Sequence, residues 1–203
     1  MSEPLLVVVA APSGGGKSTV LARVFAEVPG LLFSISHTTR APRPGEQSGR
    51  EYFFVDETRF RELIAEGALL EWAKVHGGLY GTSRAELERA RAAGKDLVLD
   101  IDVQGAAQIV AAHPSALTIF LRPPSVEVLG QRLRRRATDS EDVVARRIGN
   151  ATGEIERASE FRHVVVNDDL DTTVRKVKEI IEAERAGTPR RVETPPSPRG
   201  GGL

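Results

Sequence analysis

Four short apolar runs punctuate the chain: LLVVVA at 5–10, LVLDI at 97–101, LTIFL at 117–121 and HVVVN at 163–167. Each is nearly continuous in aliphatic and β-branched residues, the pattern of strands buried on both faces of a parallel sheet. Between them the apolar positions recur at helical spacing. Val20, Leu21, Val24, Phe25 and Val28 share one face of a helix that follows Ser18. Residues 57–66, 104–112, 125–136, 139–158 and 170–186 read as further helices. Ser83 with Glu86 forms a capping-box signature ahead of an Ala-rich helix that Gly94 ends, and Thr138 with Glu141 repeats the signature. Alternating strand and helix predicts an open α/β core with a parallel sheet flanked by helices.

Two stretches break the rhythm. Residues 34–83 hold strand-like pieces (FSISHT, which begins at 33, then EYFFV and ALLEWAKV) around one short helix, punctuated by Gly and Pro. This pattern predicts an inserted mixed α+β subdomain. Residues 125–158 are dense in arginine and carry no strand. The core is then assembled from residues 1–33, 84–124 and 159–186. Residues 187–203 are rich in Pro and Gly with almost no apolar content, so they are expected to be disordered.

Composition narrows the chemistry. The 28 basic and 28 acidic residues cancel, so net charge suggests neither a polymeric nucleic acid nor a membrane as partner. The absence of cysteine excludes disulfides, thiolate metal sites and cysteine nucleophiles. His37, His76, His113 and His163 are scattered without metal-ligand spacing. The opening run from Leu5 to Ala11 is too short to cross a bilayer and lacks a basic start, which leads us to expect a soluble, cytoplasmic protein.

The first strand runs into APSGGGKST, at 11–19. Gly16, Lys17 and Ser18 fit the second half of the phosphate-loop pattern G-x-x-x-x-G-K-[ST], while Ala11 stands where its first glycine belongs. From Ser13 through Gly14, Gly15 and Gly16, backbone N–H groups can converge on phosphate oxygens at the positive end of the next helix. Lys17 can then reach the β- and γ-phosphates, Ser18 can offer its hydroxyl to Mg²⁺, and Thr19 completes the loop. In DLVLDID, Asp100 and Asp102 alternate along one predicted strand and so share a face at its C-terminal end. Asp100 could orient the water shell of a metal. Asp102 could face the ligand or could cap the helix that begins near Gln104.

The insertion must recognise whatever accepts the phosphoryl group. Arg40 and Arg43, three apart in a turn stiffened by Pro42 and Pro44, could form a fork for a phosphate dianion. Tyr52 follows, and LEWAKVHGGLYGTS adds Glu71, Tyr80 and Thr82. Taken singly, these residues would equally suit solvated surface charges and amphipathic core edges.

Taken in order, APSGGGKST, SHTTRAPRPGE, REYFFV, LEWAKVHGGLYGTS, LDIDVQG and VVVNDDL resemble the bacterial guanylate kinases over about residues 5 to 186. The resemblance implies a P-loop kinase core, a GMP-binding subdomain at 34–83 and a helical lid at 125–158. It also implies transfer of the ATP γ-phosphoryl group to GMP or dGMP, with Mg²⁺. Ala at position 11 is common among bacterial members of that family. Matched motif by motif, Arg40, Arg43, Tyr52 and Tyr80 would hold the GMP phosphate, and Ser36, Glu71, Thr82 and Asp102 would read the guanine. Arg132, Arg136 and Arg147 would close over the ATP phosphates, and Asn167 would lie near the adenine. The family's Arg-Gly-Arg-Gly lid pattern reads RRRAT at 134–138, a departure at the hinge. A non-catalytic module of the same fold, or a kinase of another monophosphate, remains the alternative.

Overall fold

The computed structural model describes residues 3–75, 77–134 and 141–187. The chain opens with β1 (Leu6–Ala10), α1 (Lys17–Glu27) and β2 (Leu31–Phe33). The inserted segment contributes β3 (His37–Thr38), β4 (Phe53–Phe54), α2 (Glu57–Ala65), β5 (Leu69–Val75) and β6 (Gly78–Ser83). Then follow α3 (Arg84–Ala93), β7 (Asp96–Asp100), α4 (Val103–Ala112) and β8 (Leu117–Arg122). The remaining elements are α5 (Val126–Arg134), α6 (Glu141–Glu156), a 3-10 turn (Arg157–Glu160), β9 (His163–Val166) and α7 (Leu170–Arg185). The tail beyond Gly187 and the predicted Thr138 cap lie outside the described residues.

Five strands form a parallel sheet in the order β2-β7-β1-β8-β9. All five residues of β1 are buried, which explains its unbroken apolar run. Their alternation divides the core in two. Val7 and Val9 pack with Val20 and Val24 of α1 and with Val174, Val177 and Ile181 of α7. Leu6, Val8 and Ala10 face Ala90 of α3 and Val103, Ala106 and Ile109 of α4. With both faces covered, the sheet leaves its C-terminal edge as the place where loops can form a ligand crevice.

A second sheet, β4-β3-β6-β5, encloses its own small core of Phe60, Leu63 and Leu69. Helices α5 and α6 form a third cluster through Leu129, Leu133, Val144 and Ala151.

Three sequence expectations are corrected. FSISHT is not one strand: Leu31–Phe33 joins the parallel sheet beside β7, and His37–Thr38 belongs to the second sheet. The backbone changes partner in between, with Ser34 N–H donating to the Val98 carbonyl and the Ser36 carbonyl accepting from Phe53. The Ser83–Glu86 box closes on one side only. Ser83 Oγ accepts from the Ala85 N–H, but Glu86 is buried and accepts instead from the Ile35 N–H at 2.7 Å and from Arg89 at 2.6 Å. A buried carboxylate is better served by a cation and a buried amide than by a solvated cap. Finally, β7 ends at Asp100, so Asp102 stands beyond the strand as the N-cap of α4.

Candidate active site

The glycine-rich loop joins β1 to α1. Gly14 and Gly16 have φ of 82° and 86°, a left-handed geometry that favours glycine, and the Gly15 N–H returns to the Pro12 carbonyl at 2.8 Å. Helices α2, α3, α4 and α7 are capped by Asp56, Ser83, Asp102 and Asp169, whereas α1 starts at Gly16 with no side-chain cap and no acidic residue in its first turn. Its first N–H groups therefore point outward without a protein acceptor at the cap, the arrangement that suits an incoming anion.

The loop is braced from behind. Asn167, buried after β9, donates from Nδ2 to the Gly15 carbonyl at 2.7 Å, and its own carbonyl accepts from Arg132 at 3.0 Å. Leu129 and Leu133 of α5 approach the Cα of Gly14 so closely that a Cβ there would stand 2.9 Å from Leu133 Cδ2. Arg132 and Asn167 thus meet at the loop, Ser13 and Gly14 are half-buried in it, and Ser18 and Thr19 are exposed on the first turn of α1.

Lys17 leans across the sheet edge, its Nζ 2.5 Å from Asp100 and 3.0 Å from the Ile101 carbonyl. Parallel register makes this contact possible, because Asp100 pairs with Val9 at the end of β1. A cavity of about 240 Å³ opens here, lined by Lys17, Ser36, Tyr52, Glu71, Tyr80, Asp100 and Asp102. Ser18 opens onto an adjoining cleft that shares Ser36, Tyr52 and Asp100. Asp102 lines the cavity while its Oδ1 accepts from the Gln104 and Gly105 N–H groups at 3.1 and 2.8 Å. It is both a cap and a wall of the site.

Across the cavity the second sheet presents a carboxylate. Glu71 is 4% exposed, and its Oε1 accepts from the Thr82 N–H at 2.9 Å and the Thr82 hydroxyl at 2.7 Å. The hydroxyls of Thr82 and Ser36 lie 3.3 Å apart. Burial pushes the Glu71 carboxyl up to about 7; the Thr82 bonds oppose that rise and nearby Asp102 adds to it.

Arg40 sits 5.3 Å from the Tyr52 ring centre, and Tyr52 packs edge-on against Tyr80. Its guanidinium is held by both oxygens of Glu46, each at 2.9 Å, and Glu46 also accepts from the Arg43 N–H at 2.7 Å. Arg43 is exposed at the turn. Of the lid arginines, Arg132 reaches the loop through Asn167, Arg147 lies half-buried on α6, and Arg136 lies outside the described residues.

Sequence reading missed two acidic residues here. Glu46 follows the Pro-Gly turn six positions after Arg40, a spacing that could have signalled the ion pair. Glu154 of α6 approaches the loop: burial raises its carboxyl, Asp102 adds to the rise, and Lys17 and the Ser13 N–H oppose it. No local signal marks Glu154, since only tertiary packing brings α6 to the loop.

Comparison with known proteins agrees with this architecture. The guanylate kinase family model matches residues 3–184. The chain is 49% identical to the guanylate kinase of Corynebacterium glutamicum over 87% of this chain and 94% of that one. It is 43% identical to that of Geobacter metallireducens over 95% of both chains. The crystal structure of guanylate kinase from Anaplasma phagocytophilum superposes with a TM-score of 0.72 at 33% identity, covering 91% of this chain and 87% of that one. With its uncapped phosphate loop and the facing carboxylate pocket, the chain belongs to the guanylate kinase family.

Proposed function

We propose that this protein transfers the γ-phosphoryl group of ATP to GMP or dGMP, giving ADP and GDP or dGDP. The observation that carries the reading is one cavity with Lys17 and the uncapped α1 on one side and buried Glu71 on the other. Phosphoryl transfer requires alignment and charge neutralisation more than covalent help from the protein. Ser13 to Thr19 hold the ATP phosphates, and Lys17 exchanges its Asp100 contact for the β- and γ-oxygens. Arg40, Arg43, Tyr52 and Tyr80 fix the GMP phosphate so that one of its oxygens faces the γ-phosphorus in line with the leaving ADP oxygen. As that oxygen bonds to phosphorus, the bond to ADP breaks and its electrons stay with ADP. Arg132, Arg136 and Arg147 neutralise the developing charge, and Asn167 supports the adenine side.

The guanine end is read by hydrogen bonds. Guanine offers N1–H and its 2-amino group side by side, and the ionised Glu71 can accept from both, with Ser36, Thr82 and Asp102 around it. Adenine offers neither group, so the buried carboxylate would be left without partners, a penalty able to discriminate by ~10⁴-fold.

Ser18 would offer its hydroxyl directly and Asp100 would act through a water of the metal's shell, both beside the phosphate loop. That set suits Mg²⁺, which is usually held by one or two protein oxygens together with substrate phosphates and water. When bound there, Mg²⁺ neutralises charge on the β- and γ-phosphates. Among the described residues no helix is long and apolar enough to cross a membrane. We place the protein in the cytoplasm, with both substrates.

An ADP-release assay across GMP, dGMP, AMP and CMP tests the reading. Turnover with GMP and dGMP is expected. Equal rates with AMP would overturn the guanine assignment, and no turnover with any acceptor would favour a binding module.

A further inference from the structure

Gly105 is the third residue of α4 and is buried against β5. Its φ is not among the positive values found at other glycines, so helical backbone there would accept any L-residue. Space decides instead. A Cβ at position 105 would overlap Oε2 of Glu71, stand 3.1 Å from its Cδ and lie 3.4 Å from Ile101 Cδ1. The opposite oxygen, Oε1, is tied down by both Thr82 bonds. Gln108, one turn along α4, grips the next residue of β5: it accepts from the Trp72 N–H at 3.1 Å and donates to the Trp72 carbonyl at 2.7 Å. The carboxylate is thus confined between Thr82 and a helix surface that has no side chain at the point of contact.

We propose that Gly105 is a positioning residue for guanine selection, its missing side chain being what lets the Glu71 carboxylate lie against α4 in base-reading orientation. This rests on Glu71 as the carboxylate that reads guanine. The atom struck by an added methyl is the tip of a side chain, so the fold can survive by swinging the carboxylate aside. Alanine is moreover a better helix former than glycine. A change that leaves the helix content while moving one carboxylate should therefore separate binding of guanine from everything else.

The test is a double-mutant cycle with full-length protein, measuring KM for GMP and for ATP, kcat and melting temperature. Gly105→Ala should raise KM for GMP about tenfold while KM for ATP and kcat at saturating GMP stay within about twofold, with no fall in melting temperature. In a Glu71→Ala background the same change should add nothing, because the group it displaces is gone. That double variant has no collision, so it also tests whether the helix itself tolerates alanine. If Glu71→Ala raises KM for GMP but Gly105→Ala does not, the proposal is overturned and the reading of Glu71 stands. Multiplicative losses in the double variant would also overturn it, since they mark a general packing role. An unchanged KM for GMP in Glu71→Ala overturns the reading of Glu71 and the proposal together.

Discussion

At the scale of single residues, Lys17 and Glu71 are held in ways that make opposite demands on the substrates. Lys17 is already paired with Asp100, so in the proposed mechanism ATP draws it from one anion to another. Lys17→Ala should lower kcat by roughly 10²-fold or more, as loss of a transition-state charge partner does, while GMP affinity by calorimetry stays within about twofold. In the proposed reading Glu71 must be ionised to accept from guanine, yet burial lifts its carboxyl to about 7. GMP affinity should therefore rise with pH, by roughly tenfold from pH 6 to pH 8 beyond any change seen in Glu71→Gln, because the ionised fraction grows by about that factor across a pKa of 7. For stability the sign is reversed. The folded state retains a proton that the unfolded chain releases near 4.5, so this group's contribution falls as pH rises from about 4.5 to 7. Glu71→Gln should lose that decline, and chemical denaturation at pH 5 and pH 8 would measure it.

Elements show why the phosphate loop works as a unit. Gly14 and Gly16 turn it, α5 and Asn167 press on it from behind, and α1 offers it an uncapped start. Gly14→Ala would strain a φ of 82° and push on Leu133, so we expect a loss of about 1–3 kcal/mol in urea unfolding together with a higher KM for ATP. The loop was readable in SGGGKST because its conformation depends on local glycines. Strand β6 was not readable: GLYGTS has weak strand character alone, and it becomes a strand because β3 and β5 pair with it on both sides. Strand β2 was likewise not readable: Leu31–Phe33 overlaps FSISHT only at Phe33, and three residues joining a sheet edge leave little periodicity.

For the whole molecule, the proposed function has the two substrates meet different parts of the fold: ATP the loop between β1 and α1, GMP the second sheet. Each should stabilise the folded state by mass action, about 2.7 kcal/mol at a hundredfold excess over Kd. In thermal-shift measurements Glu71→Ala should abolish the GMP-induced rise and keep the ATP-induced one. Equal loss of both shifts would mean that the substitution damages the fold instead of the base pocket.

The candidate residues of the phosphate loop, the Arg40–Arg43 turn and the end of β7 could be named from compact local patterns, whereas Ser36, Tyr80, Thr82 and the lid arginines took their roles from the family resemblance. Their relations were not legible along the chain. The Lys17–Asp100 pair depends on parallel register between β1 and β7, and the cap role, one of the two readings the sequence offered for Asp102, follows from where β7 stops. The closeness of Gly105 to Glu71 depends on α4 packing against β5, 34 positions apart along the chain. Local sequence determined the turns, the helices and the chemical groups on offer. Tertiary structure decided which groups share a cavity, how far each is desolvated and how closely the backbone may approach, since these follow from packing between distant segments.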